Sequence, residues 1–458
     1  MIRCRFLPFL FAGAWALRAG AAGEAGPHLI TLEEAYDRTL ATDQSIRIAY
    51  LEVRKARLLP WSALTRLGPQ LTASGNYTRS ESALTRPVTE TEAAQEVGGA
   101  PSIHTVERTS HSRSGGASAG VSLQQPLIDM TVFPAYRAGK LSAESARLQQ
   151  RFTVRGTLFG VAQAYYAVLE EQRFVEVNRE TLRLSNEQLD LSQKRANVGE
   201  VTRSDVLRAE VVMQTARRTL IESENLLESR LNTLANILNF APGTRYRVAE
   251  PPDYPTTLPA FEELLSRANG RREDLRVQDL AVLQDIERRK QVLGEYWPRV
   301  VVQFDGDINN NTGTSNSKQR AWQATVGVQV PIFTGGQREI DLATASLQIQ
   351  QTQLNRDSLA KTIEQQVKDA WLAVRSLEET LKALRAQVAA ADKGYQDLQN
   401  QYRSGEATSV DVLSALNDLN TARSDLNRQT YTYQVALRNL EQVTGTFQDR
   451  RVNQLKVR

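Results

Sequence analysis

The feature that most constrains this chain is an internal duplication, because two copies of one pattern must fold into two copies of one unit. Leu32-Glu33-Glu34 is followed 37 residues after Leu32 by Pro69, and Phe261-Glu262-Glu263 is followed by Pro298 at the same spacing. Val121-Ser-Leu-Gln-Gln-Pro126-Leu matches Val326-Gly-Val-Gln-Val-Pro331-Ile, and Ala164-Tyr165 matches Ala370-Trp371. Gly199-Glu200 with Asp205-Val206-Leu207 matches Gly405-Glu406 with Asp411-Val412-Leu413. The offset is 229 early in the repeat and 205 to 206 later, so about 24 extra residues lie between Pro69 and Pro126. Each half reads as helix, strand, loop, strand, very long helix, tight turn and helix. Residues 23–240 form the first repeat and 260–446 the second. The five prolines of 241–259 mark an irregular linker, and 447–458 read as a polar tail.

No proline occurs between Ala135 and Ala241, or after Pro331. Within the second stretch a 4-3 spacing of apolar or small residues runs through Ile363, Val367, Ala370, Val374, Leu377, Leu381, Leu384, Val388, Ala391, Tyr395, Leu398 and Tyr402. That is a coiled-coil seam. Its first-half counterpart is Val161, Val168, Val175, Leu182, Leu189 and Ala196. The returning helices carry Val206, Met213, Leu220, Leu227 and Leu234, then Val412, Ala415, Leu419, Ala422 and Leu426. A helix from about Tyr136 to Val198 would be ~90 Å long. Gly199 and Gly405 supply the left-handed residue that ends a helix. Thr202-Arg-Ser-Asp205 and Thr408-Ser-Val-Asp411 read as capping boxes that start the next one.

Four segments alternate with period 2, at about 69–79, 116–126, 298–309 and 320–331. Their apolar faces carry Leu71, Ala73 and Tyr77; Ala119, Val121 and Leu123; Val300, Val302, Phe304 and Ile308; and Trp322, Ala324, Val326, Val328 and Val330. Tyr77 and Trp322 are expected near strand ends, where interfacial aromatics belong. Such alternation fits a half-buried soluble sheet or a membrane strand equally. Ser80 to Arg113, rich in Ser, Thr, Glu and Gly, is expected to be a mobile loop. His104 and His111 lie in it with Glu107 between them, without a third defined metal ligand.

Residues 1–22 read as a secretory signal: Arg3 and Arg5, an apolar run from Phe6 to Leu17, then Ala19-Gly20-Ala21. The only cysteine, Cys4, precedes that run, so the mature chain has no disulfide, thiolate site or cysteine nucleophile. No later segment is apolar for long enough to be a membrane helix, so an exported membrane protein of this sequence must be a β-barrel. Four strands cannot close one, and protomers must pool theirs. The 56 basic and 52 acidic residues are interspersed, which leaves no nucleic-acid footprint. No catalytic triad, phosphate loop or zinc spacing is present; neither an enzyme nor a cofactor is expected.

In the order and duplication of Leu-Gln-Gln-Pro126-Leu, Val-Gln-Val-Pro331-Ile-Phe, Asn197 to Leu207 and Tyr402 to Leu413, the chain resembles the TolC family of outer-membrane factors. The fold class expected is mainly α with transmembrane β. The resemblance implies a homotrimer in outer-membrane lipid, with a twelve-stranded barrel continued by a periplasmic α-barrel of coiled-coil helices. It also implies a passive exit duct of a tripartite efflux pump or type I secretion system. Its partners would be a periplasmic adaptor (membrane fusion) protein and an inner-membrane RND, ABC or MFS transporter. Pro69, Pro126, Pro298 and Pro331 would mark strand-helix junctions. By the same resemblance Val198, Gly199, Glu200, Val201 and Thr202, with Ser404, Gly405, Glu406, Ala407 and Thr408, form adaptor-docking tips. Asp205, Tyr402 and Asp411 match periplasmic gate positions. The chain departs from the family at Ala407, where an arginine is usual, and at Ser414, where a second ring aspartate is usual; Arg203 or Arg403 are the candidates to compensate. Capping alone also accounts for both aspartates, and Tyr402 also ends the apolar seam. The alternative reading is a periplasmic coiled-coil structural or adaptor protein without a barrel. An adaptor, however, would carry one helical hairpin, not two hairpins each with its own strand pair.

Overall fold

A computed structural model describes residues 28–92, 102–241, 244, 246–251, 258–312 and 317–454. The signal expected at 1–22, and Pro242, Pro252 and Pro255 of the linker, lie outside the described residues. The chain divides into two compact units, one from 1–43, 160–257 and 379–435, the other from 44–159, 258–378 and 436–458. Two long helices, α4 (Val132–Asn197, 66 residues) and α8 (Gln337–Ser404, 68 residues), contribute to both. Each runs for about 100 Å at 1.5 Å per residue. Helix α4 begins four residues before the expected Tyr136, with Pro134 in its first turn, where a missing N–H costs nothing.

In the first unit, β1 (His28–Ile30) pairs in parallel with β4 (Tyr246–Val248), a strand inside the segment expected to be irregular. Helix α1 (Leu32–Thr42) follows β1, capped by Thr31, whose hydroxyl accepts from the Glu34 amide at 3.2 Å. The buried Tyr165 of α4 donates to the Ala249 carbonyl at 2.5 Å and lies 3.0 Å from that of Ile30, fixing the small sheet to the helix. Burial raises its phenol well above the ordinary range. Helices α5 (Arg203–Ile237) and α9 (Ser409–Val443) run back from the two turns. Every seam position from Ile363 to Tyr402 is buried or half-buried. In α5 Leu234 of the seam is buried and Val206, Met213, Leu220 and Leu227 are half-buried, beside the buried Ala209, Ala216 and Ser223. Small residues let two backbones approach, and these three stand three positions after Val206, Met213 and Leu220, on the same face as the seam.

The second unit holds helices α2 (Gln44–Ala56), α3 (Leu59–Leu64), α6 (Phe261–Arg271) and α7 (Glu273–Gly294). Its antiparallel sheet, in the order β2-β3-β5-β6, comprises β2 (Gln70–Glu92), β3 (Ser102–Ile128), β5 (Arg299–Thr312) and β6 (Ser317–Gln329). The expected mobile loop at Ser80–Arg113 is overturned over 80–92 and 102–113, the rest lying outside the described residues: β2 and β3 stay paired from Gln70↔Gln124 to Glu92↔Ser102. Serine and threonine rungs such as Ser80–Ser114 (2.7 Å) and Thr85–Thr109 (2.8 Å), and the Arg113–Glu81 pair (2.8 Å), hold this ribbon together. Loop-like composition concealed it, since polar cross-strand pairs stabilise a ribbon without an apolar face.

The C-terminal residues are also more than a polar tail. Phe447 and Val452 are buried, and α10 spans Asp449–Gln454. Buried Arg155 of α4 donates to the Phe447 carbonyl, to Glu273 at 2.6 Å and to Asp449 at 3.0 Å. Trp371 Nε1 donates to the Pro259 carbonyl at 3.2 Å, two residues ahead of α6, as Tyr165 reaches Ile30, two residues ahead of α1. The duplicated aromatic thus has the same duty in each half.

Candidate functional sites at the helical turns and the sheet

At the first turn Gly199 has φ +81°, and the Gly199 and Glu200 amides donate to the Ala196 and Arg195 carbonyls. Gly405 (φ +87°) repeats this, with the Gly405 amide donating to Tyr402 and the Glu406 amide to Gln401. Thr202 and Asp205 form a complete capping box: the Asp205 carboxylate accepts from the Thr202 amide (3.1 Å) and hydroxyl (2.7 Å). Asp411 accepts likewise from the Thr408 amide (3.0 Å) and hydroxyl (2.6 Å). These hydrogen bonds, the threonine hydroxyl's first, hold both carboxyls below the usual aspartate range. Neither Arg203 nor Arg403 forms an ion pair with either aspartate among the described residues.

Tyr402 is buried in a cluster with Leu184, Tyr395, Val412, Leu416 and Leu419, its hydroxyl 3.4 Å from the Ser192 hydroxyl. Val201 and Ala407 pack on the same cluster. A residue the sequence did not single out links the two turns. Arg195, in the last turn of α4, lays its guanidinium over the Tyr402 ring at 4.6 Å, donates to the Tyr402 carbonyl and pairs with Glu200 at 2.8 Å. Its only sequence signal is a cation at a helix C-terminus. Of the remaining tip residues, Ser404 donates to the Gln401 carbonyl at 3.0 Å, while Val198 is 71 % exposed. Beside the turns an apolar groove of about 620 Å³ is lined by Ser204, Leu207, Arg208, Val211, Val212, Val410, Leu413 and Ser414. Leu207, Val211 and Val410 are large apolar side chains left exposed there. Their positions between seam residues hid them in the sequence.

One interior stripe of this unit is polar. Asn178, Ser185, Gln188 and Ser192 of α4 are buried, and neither amide atom of the fully buried Gln188 has a partner.

The sheet presents two chemically distinct faces. The register aligns Leu71–Leu123–Phe304–Ala324, Ala73–Val121–Gly306–Trp322 and, lower, Val302–Val326 and Val300–Val328 on one face. The other carries Thr72–Ser122–Asp305–Gln323 and Ser74–Gly120–Asp307–Ala321. Ser122 donates to Asp305 at 2.7 Å. Leu71 and Val326 are each 69 % exposed, so none of the described residues covers the apolar face there. Tyr77 and Trp322 are not near the ends of their strands, as had been expected; they stand near the end of the apolar band, and Phe304 and Trp322 stack at 6.2 Å. Pro69 and Pro298 precede β2 and β5, and Pro331 follows β6. Pro126 lies inside β3, at a register shift between Pro126 and Ile128. A bulge tolerates the missing donor.

A cleft of about 620 Å³ in the second unit is lined by Arg155, Arg272, Glu273, Asp274, Gln366 and neighbours. Its arginines are already bound, Arg155 by Glu273 and Arg272 by Asp274 at 2.6 Å each, which makes it structural. Among the described residues no group of three His, Cys, Asp or Glu converges, and no helix is long and apolar enough to cross a membrane.

The sequence profile of a family described as "Outer membrane efflux protein" matches residues 35–239 and 264–446. The alkaline protease secretion protein AprF of Pseudomonas aeruginosa is 24% identical over 340 residues, 72% of this chain and 69% of AprF. Outer membrane protein TolC of Vibrio cholerae is 23% identical over 351 residues, 73% of this chain and 78% of that protein. Among solved structures, the Campylobacter jejuni CmeC outer membrane channel superposes with a TM-score of 0.71 at 16% identity, over 91% of this chain and 86% of that one. That likeness establishes a shared fold, and the mainly helical chain with few strands is that fold.

Proposed function

Because this chain belongs to the outer membrane efflux protein family, we propose that it is a passive trimeric exit duct of the outer membrane. The observation that carries the reading is the four-stranded sheet, apolar and uncovered on one face and polar on the other, in a chain whose described helices include no membrane-spanning one. Four strands are too few to close, and eight are about the fewest in a membrane barrel. Three protomers pooling strands seal a barrel with lipid outside and a wet, amide- and aspartate-lined lumen inside. The long helices then continue the lumen through the periplasm. Family membership supports a channel rather than an enzyme. The rival reading, a periplasmic coiled-coil protein without a barrel, leaves the Leu71 and Val326 face in water.

The turns and the groove of Leu207, Val211 and Val410 suit an adaptor's helical hairpin, whose apolar residues would fill the groove. The adaptor would link the duct to an inner-membrane transporter of the RND, ABC or MFS class. AprF and TolC carry names that span secretion and outer-membrane roles, so the cargo is left to the transporter. Asp205, Tyr402 and Asp411 are assigned to the closed end, with Arg195 as the bolt between turns. The test is fractionation, mass measurement of the detergent-purified protein, and planar-bilayer conductance. A trimer in outer-membrane fractions with discrete conductance steps is expected. A folded monomer in the soluble periplasmic fraction ends the reading.

A further inference from the structure

The apolar band of the sheet gives way to positive charge at the end remote from the helices. On β2, Arg79 follows Tyr77 by two residues; on β6, Arg320 precedes Trp322 by two and Lys318 by four. The strands run in opposite senses. In both hairpins, therefore, the cation stands one same-face step beyond the aromatic ring, on the distal side. Tyr77 and Trp322 are 75 % and 74 % exposed, and Arg79, Lys318 and Arg320 are exposed too. Across the register their neighbours are neutral: Gly75, Ala119 and Ile308 beside Arg320, Ala117 and Asn310 beside Lys318, Gly115 and Thr312 beside Arg79. The first carboxylate on that face is Glu81, already held by Arg113 at 2.8 Å. At the helix-bearing end, by contrast, Arg299 is paired with Asp129 at 3.2 Å. Aspartates 305 and 307 lie on the opposite face.

Strands β2 and β6 are the two edges of the sheet. In a closed trimeric barrel, the reading on which this inference rests, β6 of one protomer meets β2 of the next. The edge carrying Arg320 and Lys318 then faces the edge carrying Arg79, three times around the ring. We propose that each subunit seam binds the phosphate groups of an anionic lipid headgroup in the leaflet facing away from the helices. The guanidinium groups match phosphate oxygens as paired donors and Lys318 adds a point charge. Tyr77, one same-face step beneath Arg79, and Trp322, one beneath Arg320, seat the boundary between headgroup and acyl chain. An isolated protomer holds only part of the site.

The test uses the purified full-length protein, reconstituted in phosphatidylcholine vesicles with a minor share of a diphosphorylated glycolipid. It is re-extracted gently and bound lipid is counted by native mass spectrometry. The wild-type trimer is expected to retain the glycolipid over phosphatidylcholine. Losing a cation near an anionic lipid surface weakens binding by about fivefold, so Arg79→Gln with Lys318→Gln and Arg320→Gln should lower retention by well over tenfold. Arg86→Gln with Arg108→Gln, on the opposite face, should leave it unchanged. Equal retention by the triple variant, or equal retention of phosphatidylcholine by the wild type, overturns the proposal. A conducting trimer with either result sinks only this site, whereas absence of trimer and conductance sinks the duct.

Discussion

The guanidinium of Arg195 lies 4.6 Å from the centre of the Tyr402 ring, joining the end of one long helix to the end of the other. It also donates to the Tyr402 carbonyl and pairs with Glu200 of its own turn, so one side chain makes two contacts across the turns and one within the first. The arginine that the resemblance leads one to expect at Ala407 would pair with Asp205, which Arg195 does not touch. Arg195→Ala should cost about 1–3 kcal/mol by removing a partly shielded cation–π contact and a charge-assisted hydrogen bond. The expected phenotype is a lower melting temperature and a larger single-channel conductance in planar bilayers. Wild-type values for both would show that the contact holds nothing shut.

Asp205 and Asp411 separate capping from gating by charge. Asparagine keeps an acceptor for the threonine hydroxyl and amide but carries no charge. Asp205→Asn with Asp411→Asn should therefore leave helix content nearly unchanged and reduce cation preference, read as a smaller reversal potential across a salt gradient. An unchanged reversal potential assigns both residues to capping alone.

The same pair sets an acid limit. Both carboxyls titrate below the ordinary aspartate value of 3.8 in the folded protein. A depressed folded pKa stabilises the turns above pH 3.8, and that contribution fades as pH falls below 3.8 through the folded values. Circular dichroism of the turns should be flat between about pH 5 and 8 as far as these groups are concerned. Loosening should begin only in stronger acid, and Thr202→Val with Thr408→Val should move its onset upward.

Arg155 is the most deeply buried arginine among the described residues of the second unit, bound to Glu273 and Asp449. Removing one partner of such a pair leaves the other charge uncompensated and costs about 3–5 kcal/mol. Glu273→Ala should destabilise by that order and expose α10 to limited proteolysis. Arg155→Met with Glu273→Leu should be milder than either single change. A double variant as damaged as the singles would show that the cost is packing, not charge.

Gln188 is 0 % exposed with neither amide atom bonded, in a stripe where leucine would pack. Gln188→Leu should stabilise the helical hairpins by about 1–3 kcal/mol, the desolvation cost of an unmet polar group. If the helices must shift for the duct to open, the same variant should show fewer opening events. A destabilised Gln188→Leu protein would instead reveal a water bonded to the amide.

Val211→Asp and Leu207→Asp test the groove. Both side chains are exposed, so stability should change by no more than about 0.5 kcal/mol. Site-specific cross-linking to the adaptor should fall at least tenfold if the groove is its seat. Undiminished cross-linking would restrict docking to the turns, around Val198.

The sequence alone determined the duplication, the two long helices, the glycine turns with their threonine–aspartate caps, and the alternation of the four strands. Each of these is local: a heptad seam, a left-handed glycine or a period-2 pattern acts over a few residues and is written in their order. Only the tertiary structure decided that 80–92 and 102–113 form a paired ribbon, because cross-strand serine and threonine contacts carry no periodic apolar signal. It also decided that Ala209, Ala216 and Ser223 are buried beside the α5 seam, that Arg195 bridges the two turns, and that Arg155 draws in the C-terminus. Those contacts join residues tens to hundreds of positions apart. Their energies depend on which faces meet, and that is fixed only when helices and strands are placed against one another.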